Sequence, residues 1–336
     1  MAIEYVVNEQ QSDAIFLLKQ RLSKFETVAG RLNGLSYNPR ENDVAIATTP
    51  KAGTTWVQQI CHQLRCALVA PQRCMDFDEI SEVVPWIELA HDLGQNLQGE
   101  QLPFYISDSL PRFFKTHCWY NHCPRFPKTI VILRDPCDVL TSFYSFFEGW
   151  FFEAGSIDLE TFANEFWLSR GVPDNSMTQN ASYFVHLISW YVHLQQSDES
   201  SKILLLFFED LQEDLEHQIR RIAKFISNEK YSFNVDDAIH HTVLHSTFMF
   251  MKQNEGKFDE KLTKLGRNEI CGLPKDAGMN KTKIATGKSG LGHHVLTENI
   301  RAKIQLKWTE VVYPVTGCRN YGELREKHKI ECRPYH

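Results

Sequence analysis

The chain has 336 residues, 43% of them hydrophobic and 23% charged, with a formal net charge of −6 and a pI near 6.2. That length can bury one large core, and the acidic balance removes the basic footprint by which nucleic-acid binders are known, so no nucleic-acid partner is expected. The longest apolar run, Ile203 to Phe208, falls well short of a membrane span, and Met1–Tyr5 shows no basic segment followed by an apolar one; neither a membrane segment nor a signal peptide is expected. The nine cysteines (Cys61, Cys66, Cys74, Cys118, Cys123, Cys137, Cys271, Cys318 and Cys332) are odd in number and irregularly spaced, with no Cys-x-x-Cys pair. This is the pattern of reduced thiols in a cytoplasmic protein, and no metal is expected.

Residues 1–40 form a polar or helical lead-in to which no chemistry attaches. Asp43–Thr48 reads as a short buried strand, and the turn Pro50-Lys51-Ala52-Gly53-Thr54-Thr55-Trp56 leads into a helix with Val57, Ile60, Cys61, Leu64 and Leu68 near helical spacing. Residues 71–85 read as a loop carrying aromatic and acidic side chains. Arg112–His117 and Thr129–Asp135 are strands with polar carboxyl ends, and Pro136 starts a helix at a favoured position. Ile203–Phe208 is a further buried strand, followed by one helix with Leu211, Leu215, Ile219, Ile222 and Ile226 on its inner face. Residues 258–286, rich in Lys, Gly and Asn, are expected to form a long loop of the kind that serves as a lid. Thr297 is placed to cap a last helix through Ile300, Ile304, Trp308 and Val311. Continuous apolar strands alternating with helices predict one α/β domain, residues 41–315, with a central parallel sheet covered on both faces and a C-terminal tail, 316–336. A ligand would sit at the carboxyl ends of the strands.

The turn after the first strand has the makings of an anion cradle. It offers backbone N–H groups, a helix N-terminus and the full charge of Lys51. A Walker A loop places a glycine five residues before Gly-Lys-Ser/Thr, and this turn does not. The later Thr286-Gly287-Lys288-Ser289 has Thr282 where that glycine belongs and no strand before it. His117 stands two residues after Lys115 at a strand end, so alternation puts both side chains on one face. A neutral imidazole there suits a general base. Arg134, at its own strand end, presents the planar fork that fits a phosphate, with Ser142 two turns into the next helix.

Three stretches resemble the cytosolic-type sulfotransferases that use 3′-phosphoadenosine 5′-phosphosulfate (PAPS): Pro50–Trp56, Lys115-Thr116-His117 and Leu133–Tyr144. The similarity runs from about residue 41 to 312 and has the form of the microbial small-molecule branch. It implies catalytic roles for His117, Lys51 and Lys115. It implies cofactor contacts from Lys51, Ala52, Gly53, Thr54, Thr55, Trp56, Arg134, Ser142, Phe208, Ser246, Phe248, Met251, Gly287 and Lys288. The chain departs from the family at Phe208, where a tyrosine is usual, and at Ala285-Thr286, where an Arg-Lys pair is usual. Lys281, Lys283 and Lys288 are the available replacements. Of the family's dimer motif only Thr297 remains, so a monomer or weak homodimer is expected. Phe77, Trp86, Trp119 and Phe147 are candidates for the acceptor pocket of a small molecule. Asp78, Glu79, Glu82 and Glu88 would favour a cationic acceptor if they faced it. Two other functions fit parts of the pattern: a nucleotide-dependent phosphotransferase and a non-catalytic nucleotide-binding protein.

Overall fold

The computed structural model describes residues 8–99, 101, 110–173, 180–196 and 198–331. Four strands, β1 (Val44–Thr48), β2 (Phe113–Thr116), β3 (Lys128–Leu133) and β4 (Ile203–Phe207), form one parallel sheet in the order β2-β1-β3-β4. In the register Ile46 lies between Lys115 and Ile130, and Thr48 faces Ile132. The chain leaves β1 toward one side to form β2 and returns to the other for β3. The carboxyl ends of β1 and β3 therefore flank a topological switch point, the position where open α/β sheets bind ligands.

The strands are apolar throughout because both faces are covered. On one face Ile46, Ile130 and Ile132 pack with Val57, Ile60 and Leu64 of the helix Thr54–Ala67 and with Ile219 and Ile222. On the other, Ala47, Phe114, Val131 and Leu133 meet an aromatic mass that includes Phe143, Phe147, Phe162, Phe166 and Trp190.

The lead-in holds two helices, α1 (Glu9–Leu22) and α2 (Val28–Leu35), capped by the side chains of Asn8 and Thr27. α2 presses so closely on the helix Ile87–Ala90 that a Cβ at Gly34 would lie 2.0 Å from the Ile87 carbonyl oxygen. α3 (Thr54–Ala67) follows the phosphate-type turn.

The single helix expected after β4 is two, Phe208–Glu213 and Leu215–Ile226. Asp214 breaks the run because its carboxylate accepts the His217 N–H at 3.0 Å and caps the second piece. Within 258–286 the chain forms one helix, Lys261–Arg267. Thr297 caps Glu298–Lys307, as expected. The segment after 316 is packed, not trailing: in its helix Tyr321–Glu331 the side chains of Tyr321, Leu324 and His328 are buried, and Arg325 pairs with Asp210 at 2.6 Å. The eight described cysteines are all buried and free; Cys332 lies outside the described residues. Among the described residues no helix is long and apolar enough to cross a membrane.

Candidate active site

The carboxyl edge of the sheet opens into a cavity of about 1060 Å³. Its floor is the turn between β1 and α3. Lys51 has φ +73° and Gly53 φ +110°, so two left-handed residues within three positions fold the turn tightly. Gly53 can be nothing larger, since a Cβ there would stand 2.8 Å from the Phe208 ring and 3.0 Å from Ile132 Cδ1. Thr54 opens α3, and its hydroxyl lies 2.6 Å from that of Thr48. Lys51 Nζ sits 4.1 Å from the Phe146 ring centre. Burial, and then the neighbouring Lys283, push its pKa well below the usual lysine range.

His117 leaves the end of β2. Its Nδ1 is 2.8 Å from the Thr48 carbonyl oxygen, and because a carbonyl can only accept, Nδ1 carries the proton and Nε2 is the free ring nitrogen. Its backbone N–H donates to the buried Glu88 carboxylate at 2.7 Å, and the Trp86 ring meets the imidazole edge-on at 5.0 Å. Burial, with Lys115 beside it, holds the His117 pKa well below the ordinary histidine value, so the ring is neutral. Lys115 Nζ lies 3.8 Å from the centre of the Trp86 ring and 3.4 Å from Glu260 Oε1.

Arg134 ends β3 on the other side of the switch point. Its guanidinium lies over the Phe208 ring at 4.3 Å, donates to the carbonyls of Lys51 and Lys288 at 3.4 Å each, and stands 3.7 Å from Asp138. Its buried Nε has no partner among the described residues. Tyr183 anchors the strand end by donating to the Arg134 carbonyl at 2.8 Å. Trp56 and Phe208 meet edge-on at 5.3 Å, and Trp56 Nε1–H donates to the Ser246 carbonyl at 2.7 Å. Gly287, at φ +62°, lies over Phe248; a Cβ there would come within 2.4 Å of that ring.

The sulfotransferase domain model matches residues 41–309, across the sheet and every element just described. The chain belongs to the sulfotransferase domain family. Human sulfotransferase 1E1 is 30% identical over 252 residues, which span 69% of this chain and 76% of that protein. Sulfotransferase 1B1 of the dog is 31% identical over 231 residues, 65% of this chain and 69% of that one. In fold, retinol dehydratase, solved with androsterone and the inactive cofactor PAP (3′-phosphoadenosine 5′-phosphate), superposes with a TM-score of 0.61 at 18% identity. It covers 91% of this chain and 94% of its own. A mouse sulfotransferase complexed with PAP gives 0.55 at 19% identity, covering 85% and 90%.

The residues gathered here fit PAPS, the group the sequence resemblance implies. The unpartnered Arg134 Nε, the two glycines that leave no room for a Cβ, and the lysines at the turn supply what a nucleotide with phosphates at both ends requires. Of the residues singled out from the sequence, the cavity is lined by Lys51, Gly53, Thr54, Thr55, Trp56, Trp86, Lys115, His117, Arg134, Ser142, Phe147, Phe208, Phe248, Met251, Gly287 and Lys288. Four candidates lie elsewhere. Ala52 is fully buried beneath the turn, its N–H on the Thr49 carbonyl at 3.3 Å. Ser246 is fully buried and serves the site through its carbonyl on Trp56. Phe77 packs edge-on against His62 in the core behind α3, and Trp119 packs against His122. The four carboxylates Asp78, Glu79, Glu82 and Glu88 do not line the cavity either; Asp78 and Glu82 are exposed, and Glu88 is spent on the His117 backbone.

Sequence reasoning missed much of the far wall of this sulfotransferase. The lead-in contributes Lys19, Leu22, Phe25, Glu26 and Val28. Phe25 meets Trp86, Trp150 and Phe151 at 5.6–6.4 Å. Burial pushes the Glu26 carboxyl up to about 7, although Arg31 lies 2.6 Å away. Arg170 lies over the rings of Phe143 and Phe166, and burial lowers its pKa to about 10. Nothing local marked these residues, because they reach the cavity only through tertiary packing.

Proposed function

We propose that this sulfotransferase transfers a sulfonate from PAPS to a hydroxyl or amine of an apolar, ring-bearing small molecule, with His117 as the general base. The observation that carries this reading is the fixed tautomer of His117: Nδ1 is held by Thr48, leaving Nε2 free beside Lys115 on the cavity wall. PAPS supplies the sulfonate and departs as PAP. His117 takes the acceptor's proton as the new bond to sulfur forms. Lys51 and Lys115, with the hydroxyls of Thr54 and Thr55, stabilise the charge that collects on the departing phosphate. Arg134, Ser142 and Lys288 hold the 3′-phosphate, and Trp56, Phe208, Phe248, Met251 and Gly287 enclose the adenine. Removing water from so apolar a chamber strengthens each of these charge contacts.

Aromatic side chains supply most of the acceptor end: Phe25, Trp86, Phe146, Phe147, Trp150 and Phe166. Flat ring systems pack on such walls edge-to-face or offset. A solved neighbour, retinol dehydratase, holds androsterone, a molecule of the size this chamber suits. The protein acts in the cytoplasm, as a monomer or weak homodimer, and binds no nucleic acid or membrane.

Calorimetric titration with PAP and with ATP tests the donor. Tight binding of PAP and none of ATP is expected; preference for ATP would hand the site to the phosphotransferase reading. A panel of phenols, sterols and terpenoid alcohols, followed by PAP release from PAPS, tests the acceptor. Turnover confined to polar amines would overturn the apolar assignment.

A further inference from the structure

One carboxylate lies buried among the lysines at the transfer end of the cavity. Glu260 is 2% exposed and lines the chamber. Its Oε1 pairs with the ammonium groups of both Lys115, at 3.4 Å, and Lys283. Its Oε2 accepts from the Thr263 hydroxyl at 2.8 Å. A site for sulfonate and phosphate calls for cations, so an inward carboxylate needs a reason. The backbone is also committed to placing it there: Glu260 has φ +59°, a left-handed conformation rare for a residue with a Cβ. Such conformations persist where the surroundings over-determine them, and they cluster at functional sites. Lys264 N–H donates to the Glu260 carbonyl at 2.8 Å, and Lys283 N–H to the Asp259 carboxylate at 3.0 Å, so the two partners are fixed from the main chain as well.

Lys283 shares a ring with the phosphate-turn lysine. Lys51 Nζ is 4.1 Å and Lys283 Nζ 6.0 Å from the centre of Phe146. Lys288, by contrast, adjoins Arg134, which donates to its carbonyl. The two candidate lysines therefore serve opposite ends of the nucleotide.

We propose that Lys283 is a further phosphosulfate-binding residue, and that Glu260 is a positioning residue: a built-in counter-charge that aims Lys283 and Lys115 and sets the net charge of the transfer end. The proposal rests on the PAPS reading above. With the anion bound and the three lysines protonated against it, one carboxylate leaves a net charge of plus two, the match for a phosphosulfate, which carries about two negative charges, one on each acidic group. Glu260 holds Lys115 and Lys283 pointed into the site while Lys51 meets the phosphate. During transfer the bond between sulfur and the bridging phosphate oxygen breaks. The electron pair stays on that oxygen, and Lys283 stands beside Lys51 to stabilise it.

Two nucleotides separate the ends of the site: PAP, which has both phosphates, and adenosine 3′-monophosphate, which lacks the one at the transfer end. Calorimetry on the full chain should show Lys283→Met weakening PAP about tenfold with adenosine 3′-monophosphate unchanged, the loss of one well-placed charge contact. Glu260→Gln should tighten PAP several-fold by removing the competing carboxylate. The double variant, with the net charge restored, should return to within about threefold of wild type. Lys283→Arg should keep PAP affinity, and it stands in with Lys283→Gln if the methionine variant does not fold. A merely structural ion pair would lower the melting temperature and leave the ratio of the two affinities unmoved; that result overturns the proposal, as does equal weakening of both nucleotides. A wild-type chain that binds neither nucleotide overturns the PAPS reading, and this proposal with it.

Discussion

Replacing His117 by alanine separates chemistry from binding and from folding. The imidazole makes one hydrogen bond to a buried carbonyl, Thr48 O at 2.8 Å, and packs edge-on against Trp86. Losing that hydrogen bond and leaving the carbonyl unpaired costs about 1–3 kcal/mol of stability, with a small further loss from packing. A domain of ordinary stability, roughly 5–15 kcal/mol, survives this. A positioned general base contributes about 10²–10⁴ in rate, which is about 2.7–5.5 kcal/mol of barrier. His117→Ala should therefore fold, bind PAP within about threefold of wild type, and lose two to four orders of magnitude in kcat. The assay is PAP release from PAPS in the presence of an accepted phenol or alcohol, with PAP affinity measured on the same preparation. Turnover within about threefold of wild type would refute the role of base, and a parallel collapse in PAP affinity would mean that the imidazole acts by holding the turn. The wild-type pH profile adds a check. Because burial and Lys115 hold the His117 pKa well below the ordinary histidine value, the rate should show no rise from this group across the ordinary histidine range.

Arg134→Ala should weaken PAP by more than about tenfold and leave adenosine 5′-monophosphate nearly unaffected, as calorimetry with the two nucleotides would show; equal losses would count against the 3′-phosphate assignment. Gly287→Ala forces a Cβ to within 2.4 Å of the Phe248 ring at φ +62°, so PAP affinity should fall about tenfold or more. Phe25→Ala should raise the KM of an apolar acceptor several-fold with PAP affinity unchanged, because the Phe25 ring packs on Trp86 and Trp150. Stability should fall as the pH drops from 7 toward 5. His62, His117 and His186 are held neutral by burial, His186 at about 3. Each is protonated only in the unfolded chain once the pH passes below about 6.5, and each costs about 1.4 kcal/mol per pH unit there. Glu26 and Glu79, pushed up to about 7, act in the opposite sense over the same window and offset part of the loss. Melting temperatures that rise on acidification would contradict the balance.

The cofactor half of the site was legible because its information is local. A buried strand, a turn with glycine and lysine, and a helix start lie within about fifteen residues, and the fold has few ways to arrange them. The polar ends of β2 and β3 could be aligned with that turn because parallel strands in one sheet bring their carboxyl ends to one edge. The acceptor half was less legible. Trp86 and Phe147 reach the cavity while Phe77 and Trp119 do not, and aromatic density in a loop does not say which way a ring faces. Ser246 shows the same limit at the cofactor end: its side chain is buried, and its carbonyl holds Trp56. Glu260 was invisible for another reason. Its importance comes from two lysines that lie 145 and 23 positions away in the chain.

The family match begins at residue 41, yet Lys19, Leu22, Phe25, Glu26 and Val28 stand before it and wall the acceptor chamber. Residues outside the matched domain thus line the same cavity as residues inside it. Thr27 ties the lead-in to Asp92, and Gly34 seats it flush on Ile87. A change in residues 9–35 that moves Phe25 reaches Trp86, and through that ring both Lys115 and His117, so the lead-in and the transfer end of the site are mechanically one unit.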